Sequence, residues 1–182
     1  MDEEALRRAV WDDAGRVIVD ATYSGRAHQI VARRWGLIDQ CLGLPASILS
    51  ASSAGAAGLS ALLHADPLTT TMLAFISAAL TASRSFLRSD RVAAEHGNKG
   101  DRYINLRNDA IRFQEVDFLA MPDVEVLSRR GEDLSERRNR LRGESPRVIP
   151  QWAYRQAKAS IEAGESNYED DPLWRGYRAA NG

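Results

Sequence analysis

Arginines concentrated between residues 123 and 147 are the side chains best suited to binding chemistry. A guanidinium group matches the geometry of phosphate oxygens, so such a cluster predicts a site for the phosphates of a nucleotide or an oligonucleotide. The predicted ligand-binding residues are Arg129, Arg130, Arg137, Arg138 and Arg147. The alternative is a solvated helix face whose charges are balanced by neighbouring acids, namely Glu132, Asp133, Glu136 and Glu144.

A second set of candidate residues lies in an otherwise apolar stretch, where Asp66 is the only formally charged residue between positions 41 and 83. Serine, threonine, alanine and glycine recur there at three- and four-residue steps, so they share a helix face. In an assembly of several copies such a face could line a water-filled path. The predicted lining residues are Ser47, Ser50, Ala54, Gly58, Thr70, Ser77 and Thr81. The alternative is dry packing, with each hydroxyl bonded to a carbonyl of its own helix.

Nothing in the sequence predicts catalysis, a cofactor or a metal. It contains no Walker loop, no paired cysteine or histidine ligands and no nucleophile elbow. Cys41 is the only cysteine, and we expect a small buried or interfacial role for it. His28 has no partner at ligand spacing, so we expect a packing or surface role. A net charge of −1 indicates no global nucleic-acid footprint.

The apolar stretch predicts a helical hairpin that crosses a membrane twice, through residues 42–63 and 68–87. The runs are 22 and 20 residues long, and roughly 20 helical residues span a bilayer. The joint, residues 64–67, is too short to hold a domain. Small-xxx-small pairs such as Ala51/Gly55 would allow close helix contacts. Arginines flank the hairpin and none lies in its joint, so both termini are expected in the cytoplasm, with Arg84 reaching back to the membrane interface.

The other segments read as helices that position these residues. Residues 1–36 are expected to form an N-terminal cytosolic helix that Gly36 ends or hinges. Residues 88–164 are expected to form cytosolic helices, loosened at 96–100 by two glycines. Asp123 is a predicted N-cap, before a heptad seam of Leu127, Leu134 and Leu141. Residues 165–182 are expected to form a loosely ordered tail that Trp174 and Tyr177 could dock.

The predicted fold is therefore all-α: an oligomeric membrane protein with a two-helix transmembrane hairpin (42–87) and a cytosolic helical bundle. Small residues make the first run marginal for a helix that faces lipid alone. This leaves open a soluble bundle with the hairpin as its core.

The ordered set of features resembles the SLATT family, two-transmembrane effector domains found beside nucleotidyltransferases in bacterial defence systems. The likeness extends over residues 10 to 172 and lies in the order of several short stretches. They are Tyr23–His28 (YSGRAH), Leu42–Ser50, Ala93–Arg112 with Tyr103, Leu106 and Ile111, the break from Ser145-Pro146 to Pro150, and Ala157-x3-Ile161-x2-Gly164-x3-Tyr168.

The resemblance implies a pore-forming effector of the bacterial inner membrane whose opening arrests or kills an infected cell. It also implies control by a nucleotide or oligonucleotide made by a partner nucleotidyltransferase. From the hairpin we expect a homo-oligomer, for example a tetramer, within the lipid bilayer. Two alternatives stay open: a non-conducting membrane scaffold, and a soluble helical nucleotide-sensing protein.

Overall fold

The computed structural model describes residues 2–63, 67–121, 123–144 and 148–164, without the side chains of 52–63, 67 and 70. Every regular element in this part of the chain is helical, which confirms the predicted all-α class. The helices are α1 (Glu3–Leu63), α2 (Pro67–Leu87), α3 (Ser89–Arg112), a π-helical turn (Phe113–Asp117), α4 (Phe118–Ala120), α5 (Val124–Gly143) and α6 (Gln151–Glu162). Residues 64–66 of the predicted joint and the tail at 165–182 lie outside the described residues, and Pro67 of the joint begins α2.

The chain divides into two compact units. Unit 1 comprises Met1–Ile30 and Asn98–Gly182, and unit 2 comprises Val31–Gly97. The expected helix end at Gly36 is wrong, because α1 continues through Gly36 and Pro45 to Leu63. A glycine inside a helix costs only about 1 kcal/mol, which neighbouring turns of a long helix can offset.

The core of unit 1 joins α1, α3 and α5. Its buried residues on α1 are alanines and valines, and most of those on α3 and α5 are leucines or aromatic residues. They are Val10, Ala14, Val17 and Ala21 from α1; Tyr103, Leu106, Ala110 and Phe113 from α3 and the π-helical turn; and Leu127, Leu134 and Leu141 from α5. The heptad seam predicted for α5 is thus confirmed as a buried row. Alanines and valines that alternate at three- and four-residue steps let the large side chains of the other two helices pack closely against α1.

Two glycines allow α1 and α3 to cross at close range, at the place where the sequence predicts a weak helix. A Cβ atom added to Gly100 would lie 3.1 Å from Gln29 Cγ and 3.3 Å from the Gly25 carbonyl oxygen. The predicted loosening at 96–100 is wrong, since α3 is regular there. His28, buried beside this crossing, stacks on Tyr103 with ring centroids 5.8 Å apart.

The irregular part of this region lies further on, at the π-helical turn Phe113–Asp117. The Phe118 N–H donates to the Phe113 carbonyl, five residues earlier, so this turn holds one residue more than an α-helical turn. Phe113 is buried and packs edge-on against Phe118, which in turn contacts Trp11 of α1 at 4.9 Å between ring centroids. The wide turn is therefore held by aromatic packing.

The predicted start of α5 at Asp123 and the predicted stop of α6 at Gly164 are confirmed. The Asp123 carboxylate accepts from the Glu125 N–H at 2.8 Å and caps α5. Gly164 follows α6 with a φ of 79°, the left-handed conformation that glycine adopts without strain.

In unit 2, α1 and α2 form an antiparallel hairpin. Asp39 contacts Arg84, and seven residues further along α1 Ala46 contacts Ser77, seven residues earlier on α2. α2 ends at Leu87, the last residue of the second predicted run, whereas the residues directly after Leu63 lie outside the description. The two membrane spans stay a prediction. Within the residues that the structure describes, no helix combines the length and the apolar character needed to cross a membrane.

Candidate functional site

A cleft between α3 and α5 contains two of the predicted ligand-binding arginines. It encloses about 410 Å³. Its lining residues are Asp109, Arg112, Phe113, Asp117, Arg130, Asp133, Leu134 and Arg137. Arg137 Nη2 donates to Asp109 Oδ2 at 2.7 Å, and Arg130 pairs with Asp117. Three guanidinium groups thus face three carboxylates above a floor formed by Phe113 and Leu134, both buried.

The π-helical turn sets the register of these two ion pairs. Arg130 and Arg137 are seven residues apart, two turns of α5, whereas their partners Asp117 and Asp109 are eight residues apart. The extra residue of the π-helical turn absorbs this difference, because eight residues across it cover nearly the same rotation as seven in an α-helix. Both aspartates therefore face α5.

Two charged residues of the cleft have no side-chain partner in the described part of the chain. Arg112 and Asp133 make no hydrogen bond or ion pair with any residue that the structure describes. Arg112 can therefore receive an anion without first losing a carboxylate partner. Arg130 and Arg137 are half-exposed, and a phosphate would have to compete with Asp117 and Asp109 for them. The cleft could thus bind a phosphate group through Arg112, with one or both ion pairs rearranging.

The structure does not bring the other three predicted arginines into this cleft. Arg129 bonds Glu125 of its own helix at 3.0 Å, on a solvent-exposed face. Arg138 lies near Asp13 of α1, and its Nε atom is buried without a hydrogen-bond partner in the described part of the chain. Arg147 lies outside the described residues. α5 therefore has both surfaces considered from its sequence: a solvated face, and a cleft wall with candidate anion ligands.

Acids of α1 also hold α5 in place. Arg142 Nη2 donates to Asp20 Oδ1 at 3.0 Å, and the Ser135 hydroxyl donates to Asp13. Burial raises the pKa of Asp13, but the hydrogen bonds from Ser135 and Arg16 outweigh it, so that its pKa lies below the usual value. The carboxylate is thus ionised at neutral pH, as the nearby Arg138 requires.

At the open end of the hairpin in unit 2, Asp39 binds both Arg84 and Ser89. Arg84 Nε and Nη2 donate to the two carboxylate oxygens at 2.8 and 2.9 Å, and Ser89 Oγ donates to Oδ1 at 2.8 Å. Gly43 leaves room for the guanidinium, since a Cβ atom there would lie 3.3 Å from Arg84 Cζ. The bidentate counter-ion on α1 was not expected from the sequence, and the reach of Arg84 to a membrane interface stays a prediction.

This arrangement predicts that the hairpin loosens in acid. Hydrogen bonds from Arg84 and Ser89 hold the pKa of Asp39 below its usual value. A carboxylate whose pKa is lower in the folded chain contributes stability above the unfolded value of about 4, and this contribution is lost as the pH falls through the folded value. We therefore expect Asp39→Asn to lower the thermal midpoint at pH 7 and the difference from the parent chain to shrink below about pH 4. A pH-independent difference would contradict this account.

The predicted lining residues occupy different environments within the hairpin. Ser77 is buried and donates to the Ala46 carbonyl at 3.0 Å, across the α1–α2 contact. Ser47 and Thr81 bond back to carbonyls of their own helices, those of Gly43 and Ser77, at 2.9 Å. Ser50 is exposed. The side chains of Ala54, Gly58 and Thr70 lie outside the description.

Sequence reasoning missed the acids that complete the cleft, Asp109 and Asp117. A signal was present: an antiparallel neighbour of α5 should carry acids about seven residues apart, opposite Arg130 and Arg137. The actual separation of eight hides this match unless the π-helical turn is known.

Comparisons with known proteins do not place the chain in a family. No family model matches it, and no curated protein or solved structure is significantly similar to it.

Proposed function

We propose that the protein is a self-assembling membrane effector of the SLATT type, in which several hairpins form an ion-conducting pore of the bacterial inner membrane. Both termini lie in the cytoplasm. A nucleotide or oligonucleotide from a partner nucleotidyltransferase controls the pore, and its opening depolarises the membrane and arrests the infected cell in anti-phage defence.

The observation that carries the proposal is the density of exposed, large apolar side chains on the hairpin. Phe75 is 76% exposed and Phe86 87% exposed, values unusual for phenylalanine on a protein surface. The others are Leu37, Leu44, Ile48, Leu68, Met72, Ile76 and Leu87. These side chains need an apolar environment, which lipid or neighbouring copies would supply.

Assembly would address the modest apolar character of the individual helices. The hydroxyl and small residues of one hairpin could pack against those of its neighbours, so that only the large apolar side chains face lipid. Ser77 gives one example of such packing within a single hairpin, because its buried hydroxyl donates to a carbonyl of the facing helix. In an oligomer, exposed hydroxyls such as that of Ser50 would then face a neighbouring copy or a central path.

We assign ligand control to the α3–α5 cleft. Arg112 offers a guanidinium that has no partner among the described residues, and Arg130 and Arg137 can exchange their carboxylates for phosphate oxygens. A ligand can shift the balance between closed and open states only if it binds them unequally. If the Arg137–Asp109 ion pair is intact in one state and broken in the other, a phosphate would bind more tightly to the state in which the ion pair is broken.

The pore is tested by ion flux through liposomes that contain the purified chain. We expect the double variant Ser50→Leu, Thr81→Leu to lose most of the flux while it still inserts. Ser83→Leu is the matched control, because Ser83 is an exposed α2 hydroxyl outside the predicted lining. Equal flux from all three chains would exclude this lining. Intact, inserted oligomers without flux, even with ligand, would favour a non-conducting scaffold, and recovery without detergent would favour a soluble sensor.

The cleft is tested by calorimetric titration with ATP and with cyclic di-AMP as probes. Arg137→Glu should abolish binding of whichever probe the parent chain binds. Arg129→Glu should leave it unchanged, because Arg129 lies on the same helix but outside the cleft. Equal loss in both variants would indicate a general charge effect, and no loss in either would place the ligand elsewhere.

A further inference from the structure

The cleft between α3 and α5 contains as many acids as arginines, so its lining differs from that of a simple anion site. The charged lining residues are Asp109, Arg112, Asp117, Arg130, Asp133 and Arg137. Their formal charges cancel, and a bare phosphate gains little from a cleft without net charge. An occupant should therefore place an anionic group at one part of the cleft and hydrogen-bond donors at another.

Asp133 is the carboxylate that is open to such donors. The other two acids of the cleft are engaged by its arginines. Asp133 lies on the same face of α5 as Arg130 and Arg137, three residues after the first and four before the second. It is exposed and makes no hydrogen bond or ion pair with any residue that the structure describes. The two oxygens of its carboxylate, which accept hydrogen bonds but donate none, are thus available to a ligand.

The chemistry of a carboxylate distinguishes among the nucleobases. Its two oxygens can accept two parallel hydrogen bonds from one planar group. Guanine carries two adjacent donors on one edge, the N1–H and the 2-amino group, whereas adenine, cytosine and uracil each place an acceptor beside their donor. An acceptor that faces a carboxylate is left without a partner, which disfavours those three bases. Guanine is therefore the base that matches Asp133.

We propose that the cleft binds a guanine nucleotide, with the base on Asp133 and a phosphate on Arg112, an assignment that rests on the proposed ligand control through this cleft. Arg112 has no partner among the described residues, so it can receive the phosphate directly. The apolar floor of Phe113 and Leu134 suits a flat base, whereas a phosphorylated amine would leave it uncovered. The enclosed volume of about 410 Å³ lies within the range of small-molecule pockets, roughly 300–1,000 Å³.

Calorimetric titration of the purified chain with GTP, ITP and ATP tests the choice of base. The three probes carry the same triphosphate, so a difference in affinity reports the base. We expect GTP to bind at least about tenfold more tightly than ATP, with ITP, which lacks the 2-amino group, between them. Equal affinities, or binding of cyclic di-AMP without binding of GTP, would overturn guanine recognition and leave ligand control standing. No binding of any of these probes would overturn both.

Asp133→Asn tests the residue through a change of specificity that a merely structural role would not produce. An amide offers one donor and one acceptor, which match the N1–H and the adjacent carbonyl of xanthine. The variant should lose at least about tenfold in affinity for GTP and gain affinity for XTP. Glu132→Gln is the matched control and should keep the preference for GTP, because Glu132 is an exposed acid outside the cleft. Unchanged GTP affinity in Asp133→Asn, or a loss without a gain for XTP, would refute the role of Asp133.

Discussion

Leu127→Ala is expected to destabilise unit 1 by about 2–5 kcal/mol. Leu127 is fully buried in the seam of α5, where it packs with residues of α1 and α3. Truncation removes apolar contacts and leaves a cavity that three packed helices can close only in part. Chemical denaturation of the purified chain, followed by circular dichroism, measures the change.

Leu119→Ala is the matched control for this loss. Leu119 is the same residue type in the same unit but is 80% exposed, so its truncation should change stability by less than about 0.5 kcal/mol. Similar effects at the two positions would mean that α5 does not pack as the structure has it, or that another chain covers Leu119.

Gly100→Leu is expected to cost about 3 kcal/mol or more. The first atom of the new side chain would lie 3.1 Å from Gln29 Cγ, 3.3 Å from the Gly25 carbonyl oxygen and 3.4 Å from the Gln29 nitrogen. Gln29 can move its side chain aside, but the two backbone atoms can retreat only if α1 and α3 separate. The same denaturation experiment measures the loss.

Gly36→Ala is the comparison variant, because it changes the helix propensity of a glycine position without crowding a neighbouring atom. No atom lies within 4 Å of a Cβ atom at Gly36, and alanine is the better helix former, so this variant should gain up to about 1 kcal/mol. If Gly100→Leu were tolerated as well as Gly36→Ala, the close crossing of α1 and α3 would be refuted. A loss at Gly36 would instead support the hinge expected from the sequence.

The effects at Leu127 and Gly100 concern the folding of unit 1, and they help to interpret the functional tests. A variant of the arginine cleft that loses ligand response is informative only if it keeps the stability of the parent chain. Arg137→Glu breaks one half-exposed ion pair, which is worth about 1 kcal/mol or less. This is far below the effect expected at Leu127, so loss of fold and loss of ligand should be separable.

The features that could be predicted from the sequence depend on near neighbours. The N-cap at Asp123 and the stop at Gly164 follow from local backbone chemistry. The buried row on α5 follows from heptad spacing. In each case the residues that carry the signal lie within a few helical turns of the feature that they predict.

The features that were predicted incorrectly depend on a partner helix. Two glycines at 97 and 100 suggest a weak helix when read alone, but Gly100 serves a close crossing once Gly25 lies opposite. The ion pair of Arg84 was missed, because only the antiparallel hairpin brings Asp39 beside it. The apolar character of the hairpin is diluted by small and hydroxyl residues, whose roles are set by the surfaces they face.

The sequence by itself determined that the described chain is helical, where α5 begins and which residues of α5 form its buried row, because hydrogen bonding and helical periodicity act over short separations. Only the tertiary structure decided which arginines meet in one cleft. Arg130 and Arg137 face Asp117 and Asp109 because a π-helical turn adds one residue between the two acids. That turn is held by Phe113, Phe118 and Trp11, which packing brings together from different helices.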